Sequence, residues 1–443
     1  MRTEHAVVCG ASIAGLLAAR VLSDFYESVT VVERDMLPEG TFQRRGVGQG
    51  RHLHMMLSAG VPYLVELFPG LLDELAAAGA IVLHGPDDPS LFHLRVGERV
   101  FCRSGRFTRS DDMVILLASR PLLEAIVRQR VRATANVTFL DGHDVTEPVI
   151  DPTGRLTAAR VVNRESGQER VLTTDLVVDA TGRSARTPSF LESHGYQRPA
   201  ERKYAIDLSY SSQFFRVPLG VLAERAVVVL PTLDRPEGAG LLAYEDGTVI
   251  VTLFGLAGHK TPIDQRGFLA SAAEAFPPQV IAALRAGEPI GEVSTQRYPA
   301  SVWRRYHKLN RFPQGFLVMG DAVCSFNPVF GQGMTSAALQ AAALRECLSD
   351  GSGELSSRFF RAAAKKMAPM WWANRFTDFT IIPSDAWQST LKKLANFGMD
   401  KVWAAATTDV MLTETIFRRM QHLEQPTFLL QPTFLRRVIA GNR

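Results

Sequence analysis

One short stretch near the start, Gly10-Ala11-Ser12-Ile13-Ala14-Gly15, restricts the architecture more than anything else in the chain. An apolar run, His5 to Cys9, precedes it. Ile13 to Leu22 has helical composition, and the β-branched run Ser28 to Val32 follows. This pattern predicts a βαβ unit with a glycine turn at its first strand–helix junction. Gly10 admits the tight turn and Gly15 lets helix and sheet approach, while the helix N-terminus offers free N–H groups and partial positive charge to a pyrophosphate. Ser12 stands where the GxGxxG pattern has its middle glycine. Glu33 ends the second strand 18 residues after Gly15. Its carboxylate suits the two hydroxyls of an adenosine ribose and repels a 2′-phosphate, so the pattern favours FAD or NAD over NADP. A glycine-rich turn without a ligand accounts equally for the motif taken alone.

The 443 residues predict two or three domains at about 150 residues each. With 46% hydrophobic and 21% charged residues the composition is globular, which excludes a disordered, collagen-like or coiled-coil chain. The net charge of +4, from 49 Lys and Arg against 45 Asp and Glu, gives no sign of a nucleic-acid binder. Cys9, Cys102, Cys324 and Cys347 are far apart and form no CxxC pair, as expected of a protein of the reducing cytoplasm. Ala6 to Ala19 carries no charge and follows Arg2, as in a secretion signal, but the glycine turn explains the same residues. No apolar run reaches the roughly 18 residues of a membrane span; Leu241 to Gly258 carries Glu245 and Asp246.

Two further strand-to-turn junctions accompany the first. Leu176-Val177-Val178-Asp179 runs into Ala180-Thr181-Gly182-Arg183-Ser184-Ala185-Arg186. Gly315 to Met319 runs into Gly320-Asp321-Ala322, followed by Asn327-Pro328-Val329-Phe330-Gly331-Gln332-Gly333-Met334. Met334 to Leu348 is rich in Ala and Leu, so a helix is expected directly after that glycine loop. If a flavin sat there, the helix N-terminus would stabilise negative charge on the pyrimidine edge of the reduced ring.

These three motifs, in this order and at these separations, resemble the FAD-dependent aromatic hydroxylase superfamily of single-component flavin monooxygenases. The run Arg44-Arg45-Gly46-Val47-Gly48-Gln49-Gly50-Arg51-His52-Leu53-His54 and the run Ser119-Arg120-Pro121-Leu122-Leu123-Glu124 are similar to an actinobacterial branch that includes the olefin epoxidases of polyether antibiotic biosynthesis. Ala368-Pro369-Met370-Trp371-Trp372 with Asp378 and Pro383 is similar to that branch's tail. Gly48 departs from it, standing where proline is expected. The resemblance implies that Gly10, Ser12, Ile13, Ala14, Gly15, Glu33 and Arg34 bind the ADP half of FAD. It places Arg44 and Arg45 near the cofactor, Arg120 and Asp321 at the pyrophosphate or ribitol, and Pro328, Gly331, Gln332, Gly333 and Met334 at the isoalloxazine ring. Asp179 and Arg183 lie near flavin and nicotinamide in the superfamily; a structural turn explains them as well.

Hydrophobic–polar alternation at 92–107 and 198–295 predicts antiparallel strands roofing the flavin. Tyr204, Tyr210, Phe214, Phe215, Tyr244 and Phe254 are aromatic there, and core packing is the default role for each. The expected fold is α/β plus β: a Rossmann-like FAD-binding domain (1–91, 108–197 and 296–355), an inserted antiparallel-sheet substrate domain (92–107 and 198–295) and a C-terminal helical cap (356–443). The cap carries 13 Lys or Arg against 6 Asp or Glu, with helical runs at Phe359 to Met367 and Lys392 to Phe397. Its near repeat, Pro426-Thr427-Phe428-Leu429 and Pro432-Thr433-Phe434-Leu435, precedes Arg436 and Arg437. A solvated helix surface explains this charge; an acidic carrier protein or a peripheral membrane contact is the alternative.

His52 and His54 have no carboxylate-rich companion motif, so no metal is expected. No GxSxG is present, so no serine nucleophile is expected. The absence of the Trp-x-Trp-x-Ile-Pro pattern makes halogenation a minor alternative. By the resemblance, the activity is insertion of one oxygen atom from O2 through a flavin C4a-hydroperoxide. The substrate is a hydrophobic small molecule, an olefin of a polyketide or terpenoid, with hydroxylation of an aromatic polyketide as the alternative. NADH or NADPH is the transient reductant, a separate reductase being the other possibility. No protein residue is assigned a catalytic role, because the flavin performs the chemistry. A prenyl reductase and a non-catalytic flavin-fold binding protein are the remaining readings.

Overall fold

A computed structural model describes residues 4–218, 220–382 and 386–442. The N-terminal βαβ unit comprises the strand His5–Cys9, the helix Ile13–Leu22 and the strand Ser28–Val32. Both strands belong to a five-stranded parallel sheet of order Phe316–Val318, Leu176–Asp179, His5–Cys9, Ser28–Val32, Val137–Leu140. Ala6, Val7, Val8, Val177 and Val178 are wholly buried, the continuous apolar pattern of strands covered on both faces. Helix Ile13–Leu22 packs against the helices Arg120–Arg132 and Gly333–Asp350. Between the third and fourth strands of this sheet in chain order, an antiparallel trio intervenes: His143–Ile150, Leu156–Asn163 and Glu169–Thr173.

The second large sheet has eight strands, in the order Cys324–Ser325, Glu288–Arg304, Glu201–Arg216, Thr248–Gly255, Glu237–Ala243, Ala226–Leu230, Phe92–Val96, Arg99–Val100. Its pairings are antiparallel with one correction: Phe92–Val96 runs parallel to Ala226–Leu230, Phe92 opposite Ala226. A parallel pair needs a long crossover, and the chain between these strands passes through the nucleotide-binding half. Strand Glu288–Arg304 continues the sheet past residue 295 to pair with Cys324–Ser325. Helices Gln265–Ala275 and Pro278–Ala286 cover one face, burying Phe268, Val280 and Leu284 against Phe215, Leu241 and Val251.

The C-terminal helices, Leu355–Ile381, Ala386–Ala406, Val410–Met420 and Pro432–Ala440, extend well beyond the expected helical runs. Phe359, Met367 and Trp371 join the core of the nucleotide-binding half. Val402, Leu412, Ile416 and Phe417 join Phe92, Phe101 and Leu242 in a separate core. Phe428 and Phe434 of the near repeat meet edge to face at 5.0 Å within that core, so this part of the basic tail is an apolar plug. Pro383 lies outside the described residues. Among the described residues, no helix is long and apolar enough to cross a membrane.

Candidate FAD site

A continuous cavity of about 2600 Å³ is lined by residues of the five-stranded sheet, the eight-stranded sheet and the C-terminal helices. Gly10, Ser12, Ile13, Ala14, Glu33, Arg34, Arg44, Arg120, Asp321, Pro328, Gly331, Gln332, Gly333 and Met334 line it. Gly15 lies behind the turn, packed so closely that a Cβ there would stand 1.8 Å from the Gly10 carbonyl oxygen. Arg45 is exposed and faces a smaller hollow shared with Arg34, Met36 and Arg164.

The glycine turn is built for close approach. Gly10 has φ +101°, and a Cβ added to it would lie 2.8 Å from the Ala180 carbonyl oxygen. Ser12 occupies the N-cap of helix Ile13–Leu22 without making a side-chain cap bond, and the first turn carries no acidic residue. The helix terminus is therefore left to an anion from the cavity. The Ser12 hydroxyl accepts instead from Arg120 Nη2 at 2.6 Å.

Glu33 is buried and accepts from the Ala11 N–H at 2.7 Å and the Asp35 N–H at 3.0 Å. Beside it runs an ion network that joins Arg44 to the helix Arg120–Arg132. Glu124 takes Arg44 Nε at 2.6 Å and Arg120 Nε at 3.2 Å, with Arg128 Nη1 at 3.7 Å. Arg44 also reaches Glu33 at 3.2 Å and donates to the Ala11 carbonyl at 3.2 Å. Burial pulls the Arg44 guanidinium down, but Glu124 and Glu33 outweigh it and hold its pKa above the ordinary value. Arg44 Nη1 is buried and, although near Glu33, is not aligned for a hydrogen bond. Arg128 braces the loop by donating to the Pro38 and Gly40 carbonyls. Glu124 is thus a positioning residue that ties Arg44, eighty residues earlier, to Arg120 and Arg128 one turn away on its own helix.

Elsewhere on the cavity wall, Gly331 takes φ +63° and precedes helix Gly333–Asp350, whose N-cap, Gln332, makes no side-chain cap bond. The Gln332 amide exchanges two hydrogen bonds of 2.9 Å with Asn374. Asn327 accepts from the Val329 N–H and donates to Asp378 at 2.9 Å. Burial, opposed by Asn327 and Arg375, pushes the Asp378 carboxyl up to about 6. Burial also raises Asp321 from its ordinary value, against the pull of Arg183, Gln49 and Arg120. Asn374 and Asp378 contact the loop across 42 and 51 residues, and no local pattern announces them.

Asp179 accepts from the Thr181 N–H at 3.0 Å and from the hydroxyls of Thr181 and Thr187, so it organises its own turn. Arg183 lies over the Tyr298 ring at 4.5 Å. His52 Nδ1 lies 2.9 Å from the Ser212 hydroxyl and the ring meets Tyr210 edge to face at 4.5 Å. Burial, with Arg51, lowers His52 to about 4; burial, with Arg120, lowers His54 to about 3. Both are neutral near pH 7. Of the six roof-sheet aromatics singled out, Tyr210 and Phe254 line the cavity. Phe215 packs on Phe268, Tyr204 on Trp371, and Phe214 on Tyr244, whose hydroxyl bonds to the His54 backbone.

These features fit FAD. The cradle at Gly10 admits no side chain, an uncapped helix end and Arg120 face the space a diphosphate needs, and the carboxylate of Glu33 lies at the end of the second strand. A second uncapped helix end, at Gln332–Gly333, lines the same cavity.

Comparison with known proteins agrees. A protein of Mycobacterium tuberculosis, Protein Rv3254, is 41% identical over 99% of this chain and 94% of its own length. The kynurenine 3-monooxygenase of Salinispora arenicola is 26% identical over 78% of this chain and 73% of its own. The structure of the flavin-dependent brominase Bmp2 matches with a TM-score of 0.67 at 13% identity, covering 99% of each chain, a likeness of fold. Residues 3–351 match the FAD binding domain family, and the chain, with its glycine cradle and two helix ends facing one cavity, belongs to that family.

Proposed function

We propose that this FAD-dependent monooxygenase adds one oxygen atom of O2 to an electron-rich double bond of a large apolar molecule, an olefin of polyketide or terpenoid type. The observation that carries the reading is the cavity wall. Leu53, Val228, Leu242, Phe254, Ile416 and Met420 line it with carbon, and His52 and His54 beside them are held neutral. An alkene loses no proton when it is epoxidised, whereas a phenol reacts best when a base removes its proton, and histidines with pKa lowered to about 4 and about 3 are weak bases for that step.

FAD, when bound, supplies oxygen activation after reduction, for which NADH or NADPH is the proposed donor. The chain's residues supply everything else. The Gly10 turn, Glu33 and Arg120 would hold the dinucleotide, and Pro328 and Gly331 to Met334 would border the ring. The helix end at Gln332–Gly333 favours negative charge at its N–H groups. The apolar walls orient the substrate and exclude water from the reacting end.

Hydroxylation of an aromatic polyketide is the second reading, favoured by the relative named kynurenine 3-monooxygenase and by Tyr210 and Trp403 on the cavity wall. The test is 18O2 labelling with FAD-loaded protein, NAD(P)H and panels of polyenes and aromatic polyketides. One labelled oxygen in an epoxide supports the first reading and a labelled phenol the second. A saturated product without oxygen uptake overturns both in favour of a reductase.

A further inference from the structure

We infer that the outer face of the C-terminal helices docks on an anionic lipid surface, so that the mouth of the cavity opens toward the bilayer. Among the described residues, sixteen large hydrophobic side chains are exposed, and eight of them fall between Trp372 and Ile439. Five form the docking face: Trp372 and Phe376 on helix Leu355–Ile381, and Leu391, Leu394 and Phe397 on helix Ala386–Ala406, each between 46% and 68% exposed. Helices of soluble domains turn such residues inward. Here Leu391, Leu394 and Phe397 recur every three residues on an outer stripe, flanked by buried Lys392 and Val402.

Two observations identify what covers this face. First, Trp372, Phe376 and Phe397 also line the cavity, so the patch is the rim of the chamber. Second, the rim is basic. The Arg202 guanidinium lies 5.2 Å from the Trp372 ring, the Lys401 ammonium 5.6 Å from the Phe397 ring, and Lys393 is exposed between them in sequence. None of these three cations forms an ion pair with a described residue, whereas Asp400 is held by Arg99 at 3.1 Å. Aromatic rings beside long cationic side chains match the boundary between acyl chains and phosphate headgroups. A second copy fits less well, because a two-fold contact would set these cations against themselves. An apolar substrate would then pass from lipid to chamber without crossing water.

The experiment is co-sedimentation of the full-length, FAD-loaded protein with vesicles of phosphatidylcholine alone or with about one third phosphatidylglycerol. Binding to the anionic vesicles should be about tenfold stronger and weaken as salt is raised. Leu394→Ser with Phe397→Ser should lower it about tenfold, and Lys393→Glu with Lys401→Glu should abolish the preference for anionic lipid, both variants retaining FAD absorbance. Absence of binding to either vesicle, or unchanged binding of both variants, overturns the inference. So does a dimer, seen by sedimentation velocity, that the same substitutions dissociate. The assay uses no substrate, so its failure is distinct from failure of the oxygen-insertion reading.

Discussion

The side-chain amide of Gln332 stands 2.7 Å from Nε2 of His422, ninety residues further along the chain. Gln332 occupies the N-cap position of the helix that faces the cavity, and its side chain's other partner is Asn374. The residue in front of that helix is therefore held by the helix Leu355–Ile381 and by the turn after helix Val410–Met420, and not by its own loop. His422 adopts φ +59°, and burial, with Arg419, lowers its pKa to about 4. A neutral imidazole accepts from the Gln332 amide. His422→Ala should raise the FAD dissociation constant about fivefold, the worth of one buried hydrogen bond, and shift the visible flavin spectrum. His422→Asn, which tolerates left-handed backbone and keeps an acceptor, should restore most of both. Spectral titration with FAD checks the pair.

Glu124 answers three buried arginines. Glu124→Gln leaves Arg44, Arg120 and Arg128 with less negative charge than their burial requires, a loss of about 3–5 kcal/mol by the usual cost of breaking a buried pair. Urea denaturation with and without FAD should show the loss in both states, with FAD affinity falling as Arg120 and the loop behind Glu33 lose their anchor.

Asp378 works in the opposite direction. Its native pKa of about 6 lies above the ordinary carboxylate value of 3.8. Between those values the native protein holds a proton that the unfolded chain has lost. The contribution to stability therefore falls as pH rises through this window and stays low above it. Asp378→Asn should stabilise the protein, by about 1 kcal/mol more at pH 8 than at pH 5. Denaturant midpoints at the two pH values decide the sign.

The two glycine sites should respond unequally. At Gly10 an alanine meets both a positive φ and the Ala180 carbonyl, so Gly10→Ala should leave the protein without FAD after desalting. Gly331 also has a positive φ but opens onto free space. Gly331→Ala there carries only left-handed strain of about 1 kcal/mol and should keep FAD with a dissociation constant raised about fivefold.

What could be seen in the sequence was local. Strand His5–Cys9, helix Ile13–Leu22 and strand Ser28–Val32 follow from periodicity and a turn whose glycines are sterically required. The helix after Gly333 follows in the same way. Glu124 reads as an ordinary charged residue on a helix until Arg44, eighty residues earlier, folds against it. Asn374 and His422 are equally silent, because a polar side chain has no period and its partner is chosen by tertiary packing. The parallel pairing of Phe92–Val96 was hidden for a related reason: alternation reports which face is buried, not the direction of the neighbouring strand.

The order of strands in the five-stranded sheet has a consequence in time. Its central strand, His5–Cys9, is synthesised first, yet its neighbour Leu176–Asp179 and that neighbour's own partner Phe316–Val318 arrive far later. At about 5–20 residues per second, some tens of seconds pass between the first strand and the last. Until Leu176–Asp179 emerges, the strand leading into the glycine turn waits with one flank unpaired, and Leu176–Asp179 in turn waits for Phe316–Val318. The eight-stranded sheet, most of whose strands lie between Glu201 and Arg304, is largely translated before the sheet that opens the chain can close.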